Sequence, residues 1–323
     1  MKVLFLSENL HLGGLTLLEL WRHRELLEVE LASLWSSAAA TRQPRLGASA
    51  HKLLAEATSV ELPDDPMSDY GVFDGVLVTD YSQLANELGL KYHQVPNINA
   101  SSIPLAIESQ EIDLGVCIGY GKIFNSATLR APKRGWLNFH PSMLPEERGP
   151  FPGFWEFRRA ATRSGVSLHL MAEEADTGPI IAQREIELHD RMTFRSLLIA
   201  QAQTAASMVT KELHEYLQGK REPIAQDEVG GWASPRPQAK DFILDSEMTC
   251  DMVESFVRGM RGIAKPLVAL DGHLYQIEGI ASATPGDVNR APGSARKLGH
   301  DRVEFSTRDG RTELLISPQA IAQ

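Results

Sequence analysis

Apolar positions lay out the first elements of the chain. Residues 2–6, Lys-Val-Leu-Phe-Leu, form a short run closed by Ser7-Glu8-Asn9, and a run of that length with a polar stop reads as a buried first strand. Leucines then recur at helical spacing from 15 to 27, which predicts an amphipathic helix, with Gly13-Gly14 in a tight turn before it. Apolar stretches at 29–34, 75–79 and 114–118 alternate with helical or loop-like segments, the pattern of a mostly parallel sheet in an α/β domain. Behind Thr193, a candidate N-cap, Phe194, Leu197, Leu198, Ala205, Val209, Leu213 and Leu217 fall on one helical stripe that Gly219 stops, and this helix is expected to close the domain against its sheet.

The pattern changes after residue 220. Residues 220–233 are polar and include Gly230-Gly231, which places a boundary at 223–232 between a catalytic domain over 1–222 and a smaller domain over 233–323. One amphipathic helix is predicted over 247–260. Two hairpins follow, residues 267–270 turning at Asp271-Gly272 into 274–277, and residues 303–307 turning at Asp309-Gly310 into 313–316. Short strands joined by tight turns predict a small antiparallel barrel.

Composition adds bounds. The 323 residues are 43% hydrophobic and 23% charged, enough for one large and one small core. No apolar run approaches a membrane span, and residues 1–6 give way to polar residues too soon for a signal peptide. Cys117 and Cys250 are the two cysteines, with neither paired spacing nor a Cys/His cluster, so we expect no disulfide framework, no metal site and a reducing cytoplasm. The 42 acidic residues outnumber the 32 Lys and Arg. Residues 231–323 hold 11 basic against 12 acidic residues and residues 1–230 hold 21 against 30, so neither part carries the basic footprint of a phosphate-backbone binder, and no DNA is expected as a partner.

Chemistry concentrates between Asn138 and Gly178. The strand ending Leu137-Asn138-Phe139-His140 stops at Pro141, and Asn138 and His140 share a face because side chains repeat every second residue. An amide beside an imidazole at a strand end is either a turn cap or an electrophilic pair, the amide holding a carbonyl oxygen while His140 donates to the developing oxyanion. Residues 165–171 form a second strand and residues 173–178 a turn that delivers Asp176, a carboxylate suited to orient His140. Two rival readings fall away. An aspartic-protease loop needs two carboxylates sharing a proton, and Asp176-Thr177-Gly178 is the one such loop here. Dinucleotide binding needs G-x-G-x-x-G, which His11-Leu12-Gly13-Gly14 lacks.

The ordered set Asn138-x-His140, Pro141-Ser142-x-Leu144-Pro145, Arg148-Gly149, Gly165-Val166 with His169, and Asp176-x-Gly178 resembles the folate-dependent formyltransferase family, and residues 115–135 resemble its strand and pterin loop. The resemblance implies a Rossmann-like sheet, an OB-like C-terminal barrel and formyl transfer from 10-formyltetrahydrofolate to an amine, with Asn138, His140 and Asp176 as the catalytic trio. It further implies that Gly121, Lys122, Ile123 and Phe124 form the pterin loop and Met171, Ala172 and Glu173 its second wall. Ser142, Arg148 and His169 are candidates to touch the acceptor. Ser142 has a competing role in supporting the Pro141 turn, Lys122 one as a solvated loop lysine, and His169 one as a core histidine. The favoured acceptor is a primary amine of a small molecule, such as an amino sugar nucleotide. The tRNA-directed branch of the family is the runner-up. The resemblance implies that this branch carries a basic loop where this chain has only Arg42, Arg45 and Lys52, and that it usually has a residue other than histidine at the position of His169. Hydrolysis of the formyl folate is a weaker alternative, and no particular oligomeric state is indicated.

Overall fold

Strand Lys2–Leu6 alternates between two cores. Val3 and Phe5 pack in one buried cluster with Leu17, Leu20 and Leu34, while Leu4 and Leu6 pack in another with Trp35, Ile107 and Trp136. A strand with both faces covered belongs inside a sheet. The computed structural model describes residues 1–8, 10–37, 71–73, 76–78, 81–227, 233–286, 288 and 290–320. In it the sheet has seven strands in the order Lys91–Gln94, Glu30–Ser36, Lys2–Leu6, Leu114–Ile118, Trp136–His140, Arg163–Leu170 and Ile180–Glu187. The first five run parallel to their neighbours, and Trp136–His140 meets Arg163–Leu170 antiparallel. The mixed α/β class with a mostly parallel sheet is therefore as expected. The chain order turns back between Lys2–Leu6 and Leu114–Ile118, and in such sheets ligands gather at the carboxyl ends of the strands.

Two expectations need correction. Helix Leu10–Arg22 already contains Gly13 and Gly14, so they make no turn. A Cβ on Gly13 would lie 2.3 Å from Tyr81 Oη and 2.5 Å from Ser7 Oγ, so the residue serves close packing inside the helix. The apolar stretch at 75–79 is also outside the main sheet: Val76–Val78 pairs antiparallel with Gly71–Phe73 in a two-stranded sheet of its own. Residues 75 and 79 themselves, the loop bearing Arg42, Arg45 and Lys52, and Gly230-Gly231 of the expected linker lie outside the described residues.

The chain divides into two compact units, one of Met1–Pro150, Gly165–Ile186 and Leu198–Ala233, the other of Phe151–Ser164, Glu187–Leu197 and Ser234–Gln323. The long stripe after Thr193 forms helix Phe194–Met208, continued by a π-turn at Val209–Leu213 and His214–Leu217, and from Leu198 on it belongs to the first unit, where Ala202, Ala205, Val209 and Leu213 join the core beside Val3 and Phe5. Thr193 Oγ1 accepts from Ser196 N at 3.2 Å, the cap its position predicted. Gly219, at φ 69°, ends the run.

In the second unit, helix Cys250–Gly259 starts at Thr249, whose hydroxyl accepts from Met252 N at 3.2 Å. It buries Val253 and Phe256, the latter edge-on to Phe154 at 5.3 Å. Both predicted hairpins form. Leu270 pairs with His273 across Asp271 (φ 50°) and Gly272 (φ 79°), the doubly left-handed turn that favours this dipeptide. Arg302–Ser306 returns as Gly310–Ile316, and the unit's sheet has five antiparallel strands.

Candidate active site

Strand Trp136–His140 sends Asn138 and His140 to the same face, and its antiparallel register sets Asn138 opposite His169 and His140 opposite Ser167. Four polar side chains thus collect at one strand end, and Asp176 reaches them from the turn at 174–178. His140 Nδ1 lies 3.5 Å from Asp176 Oδ1, and Asn138 Nδ2 lies 3.4 Å from the same oxygen. The three residues expected to act together do meet.

The imidazole of His140 is 5% exposed, and its Nε2 is 2.9 Å from the carbonyl oxygen of Glu147. A carbonyl can only accept, so Nε2 holds a proton and Nδ1 is the edge turned to Asp176. Glu147 sits at φ 60°, a left-handed conformation in which its carbonyl reaches back to the ring. His169 is almost fully buried and its Nδ1 is 2.8 Å from the Leu170 carbonyl oxygen. Burial lowers its pKa from the ordinary 6.5 to about 4; Asp176 acts upward and His140 downward. His169 is therefore neutral at neutral pH. Cys117, aligned with Asn138 on the parallel neighbour, is held as a thiol chiefly by burial and then by the charges of Asp176 and Glu8.

Asp176 is itself at φ 56°, unusual for a residue other than glycine, and hydrogen bonds to both its side chain and its main chain hold it there. Gly149 N donates to Oδ2 at 2.9 Å. Gln226 Nε2 donates to the carbonyls of Asp176 at 2.8 Å and Gly178 at 2.7 Å, while its Oε1 accepts from Arg148 Nε at 3.2 Å and Nη2 at 2.8 Å. At Gly178 an added Cβ would fall 1.9 Å from the Leu170 carbonyl oxygen, so the turn can lie against the strand only without a side chain there.

A cleft of about 720 Å³ opens beside this cluster, lined by Ile123, Arg148, Gly149, Glu173, Glu174, Ala175 and Ala233. Gly149 and Ala175 are the immediate neighbours of Asp176, one by hydrogen bond and one by sequence. Of the residues expected at the pterin, Ile123, well exposed, and Glu173 both line the cleft. Gly121 and Lys122 are exposed, but the Lys122 ammonium is engaged by the Pro96 carbonyl at 3.0 Å and by Glu8 at 3.3 Å. Met171 and Ala172 are half-buried. Phe124 is buried edge-on to Trp136 at 5.0 Å and offers a ligand only its main chain.

One of the residues expected at the acceptor is committed elsewhere. Ser142 is fully buried; its N donates to His140 O at 2.9 Å and its hydroxyl to Glu146 O at 2.9 Å, the turn-supporting role that competed in the sequence. Arg148 borders the cleft, with Nε and Nη2 of its guanidinium donating to Gln226. Sequence reasoning missed Glu147 and Gln226. The first acts through its carbonyl, which no side chain announces, and the second lies in the polar stretch read as linker.

Residues 91–211 match the formyl transferase family. A methionyl-tRNA formyltransferase of Sorangium cellulosum is 28% identical over 208 residues, 64% of this chain and 67% of its own. One of Bacillus cytotoxicus is 37% identical over 167 residues, 52% of this chain and 53% of its own, so the matches span about half to two thirds of those relatives. The crystal structure of an N-formyltransferase from Helicobacter canadensis, a complex with folinic acid and dTDP-3-aminofucose, shares the fold at TM-score 0.60 and 14% identity over 99% of this chain and 100% of its own.

Proposed function

From the match of residues 91–211 to the formyl transferase family we propose that the chain is a folate-dependent formyltransferase, moving a formyl group from 10-formyltetrahydrofolate to a primary amine of a small molecule. The observation that carries this reading is the convergence of Asn138, His140 and Asp176 within 3.5 Å beside an open cleft. In the reaction the amine lone pair forms a C–N bond to the formyl carbon as the carbonyl π electrons move to oxygen. Collapse then breaks the bond to the folate nitrogen, which takes up a proton as the amine gives one up. His140, its Nε2–H held by Glu147, presents Nδ1 to this centre as donor to the oxyanion, and Asp176 stabilises the imidazolium and relays the proton. Ile123 and Glu173 form the two walls for the folate, with the main chain at 121–124 reading the ring.

The acceptor is read as a small amine because neither residues 1–230 nor residues 231–323 carry an excess of basic residues. Sequence relatives that are methionyl-tRNA formyltransferases keep initiator tRNA as the second reading. The five-stranded antiparallel sheet supports an OB-like reading of the C-terminal region, and the unit boundary between Ala233 and Ser234 supports a division there, with a catalytic domain over 1–222 and a linker over 223–232. No helix among the described residues is long and apolar enough to cross a membrane.

The test is tetrahydrofolate release by the full chain given 10-formyltetrahydrofolate with pooled amines, with amino sugar nucleotides, or with charged initiator tRNA. Release that depends on a small amine supports the proposal. Release that requires RNA moves the assignment to the second reading, release without any acceptor makes the protein a hydrolase, and no release in any arm overturns formyl transfer.

A further inference from the structure

Asn138 was expected to point its amide N–H groups at a carbonyl oxygen, yet both are already in use. Nδ2 lies 3.1 Å from His169 Nε2 and 3.4 Å from Asp176 Oδ1. The roles in this triangle follow from the one atom in it that cannot change. The Leu170 carbonyl oxygen, 2.8 Å from His169 Nδ1, is acceptor-only and so fixes a proton on Nδ1. Burial keeps the ring neutral, which leaves a lone pair on Nε2. That lone pair and the Asp176 carboxylate both demand a donor from Asn138. Turning the amide over would set its carbonyl oxygen against a nitrogen lone pair and an anionic oxygen together, two repulsions in place of two hydrogen bonds. Asn138 is partly exposed, and Oδ1 is its one side-chain valence without a partner in this network.

Resting on the formyl-transfer reading, we propose that His169 is a positioning residue that locks the Asn138 amide with its nitrogen inward, so that Asn138 Oδ1 receives an N–H of the acceptor amine and does not donate to the formyl oxygen. Nδ1 of His140 is then the side-chain donor for the oxyanion, and the two members of the Asn138-x-His140 pair serve opposite reactants. Asn138 orients the nucleophile and His140 the electrophile. The strand register explains why one histidine can do this: His169 is the residue opposite Asn138, so its ring is delivered to the amide by backbone pairing.

Long-range ¹H–¹⁵N spectra of the intact, ¹⁵N-histidine-labelled chain read the tautomer directly, with His169 assigned by its loss in His169→Leu. The expected signal is a neutral ring protonated at Nδ1, the minor form of free histidine, at neutral pH. A ring protonated at Nε2, or at both nitrogens, overturns the proposal because either reverses the amide. If His169→Leu does not fold, Asn138→Asp replaces it: removing the donor from Nε2 is expected to raise the titration of one buried histidine by about one pH unit or more, and an unchanged titration overturns the proposal. The second measurement compares binding of a stable 10-formyl folate analogue with its deformylated counterpart. In Asn138→Ala the affinity ratio of the two is expected to stay within about twofold of wild type, whereas a loss of about tenfold confined to the formylated ligand shows a contact from Asn138 to the formyl oxygen and overturns the proposal. Neither measurement needs an acceptor. A correct tautomer in a protein that releases no tetrahydrofolate refutes the formyl-transfer reading alone, and turnover with the wrong tautomer refutes the positioning role alone.

Discussion

The polar cluster around Asp176 in the first unit and the arginine–glutamate pairs on the sheet of the second hold charge differently. In the first, His140 and His169 are buried and Asp176 nearly so, and each is bound by main-chain groups that leave it one orientation. In the second, Glu304 gathers Arg296 and Arg311, each at 2.9 Å, on guanidiniums that remain 42–46% exposed, and Arg302 pairs with Glu313 at 2.7 Å on the same sheet. Buried ionisable groups are costly and gather at functional sites, whereas pairs whose cations stay in water contribute little to stability. The contrast teaches where to look for function in this chain: where polar groups lack water, not where they are most numerous.

Mutations can break that contrast. Asp176→Asn is expected to lower kcat for formyl transfer about a thousandfold with folate affinity retained, because it removes the countercharge of His140 while keeping the volume; near-normal turnover would take Asp176 out of the mechanism. In the second unit the comparable loss is one of stability. Phe256→Ala should cost about 3–5 kcal/mol in denaturant unfolding, since the ring is fully buried against Phe154 with Arg158 stacked over it at 5.2 Å. Gly178→Ala is expected to cost about a hundredfold in kcat with a much smaller change in melting temperature, because the turn must leave Leu170 and carries Asp176 with it.

The pH dependence sharpens the comparison further. His169 has a folded pKa lowered from the ordinary 6.5 to about 4 by burial. Its neutral form is the native one, so stability is intact above the unfolded pKa and falls as pH drops through the window from about 6.5 to about 4. Thermal unfolding across that range should show the loss, and it should shrink in His169→Leu. Glu304 gives the smallest effect. Burial acts upward on its pKa, but Arg311 and Arg296 hold it below the usual range, so its contribution is present above that range and is lost only as acid protonates it in the fold. Glu304→Gln is expected to cost about 1 kcal/mol or less at neutral pH.

Much of this was legible in the chain itself. The strands at 2–6 and 114–118 were visible because both faces are apolar, Asn138 and His140 because polar chemistry interrupts such a strand abruptly, and Asp176 because it sits in a short turn beside the next one. Strand Lys91–Gln94 was not, since Lys-Tyr-His-Gln at a sheet edge carries no apolar run. Gly13 misled because a glycine required by a neighbouring hydroxyl looks the same in sequence as one required by a turn. Gln226 and the Glu147 carbonyl were hidden for a deeper reason: they work on main-chain atoms, and no residue type advertises which carbonyl it will hold.

That hold makes the clamp at Gln226 a point of unequal exposure to change. One amide bonds two carbonyls on one side and a guanidinium on the other, so every valence of its head group is engaged by the turn that carries Asp176 or by the arginine at the cleft. A chain built this way tolerates drift across the walls of its cleft, where Ile123 and Glu173 meet solvent, far better than at a glutamine that does not line it.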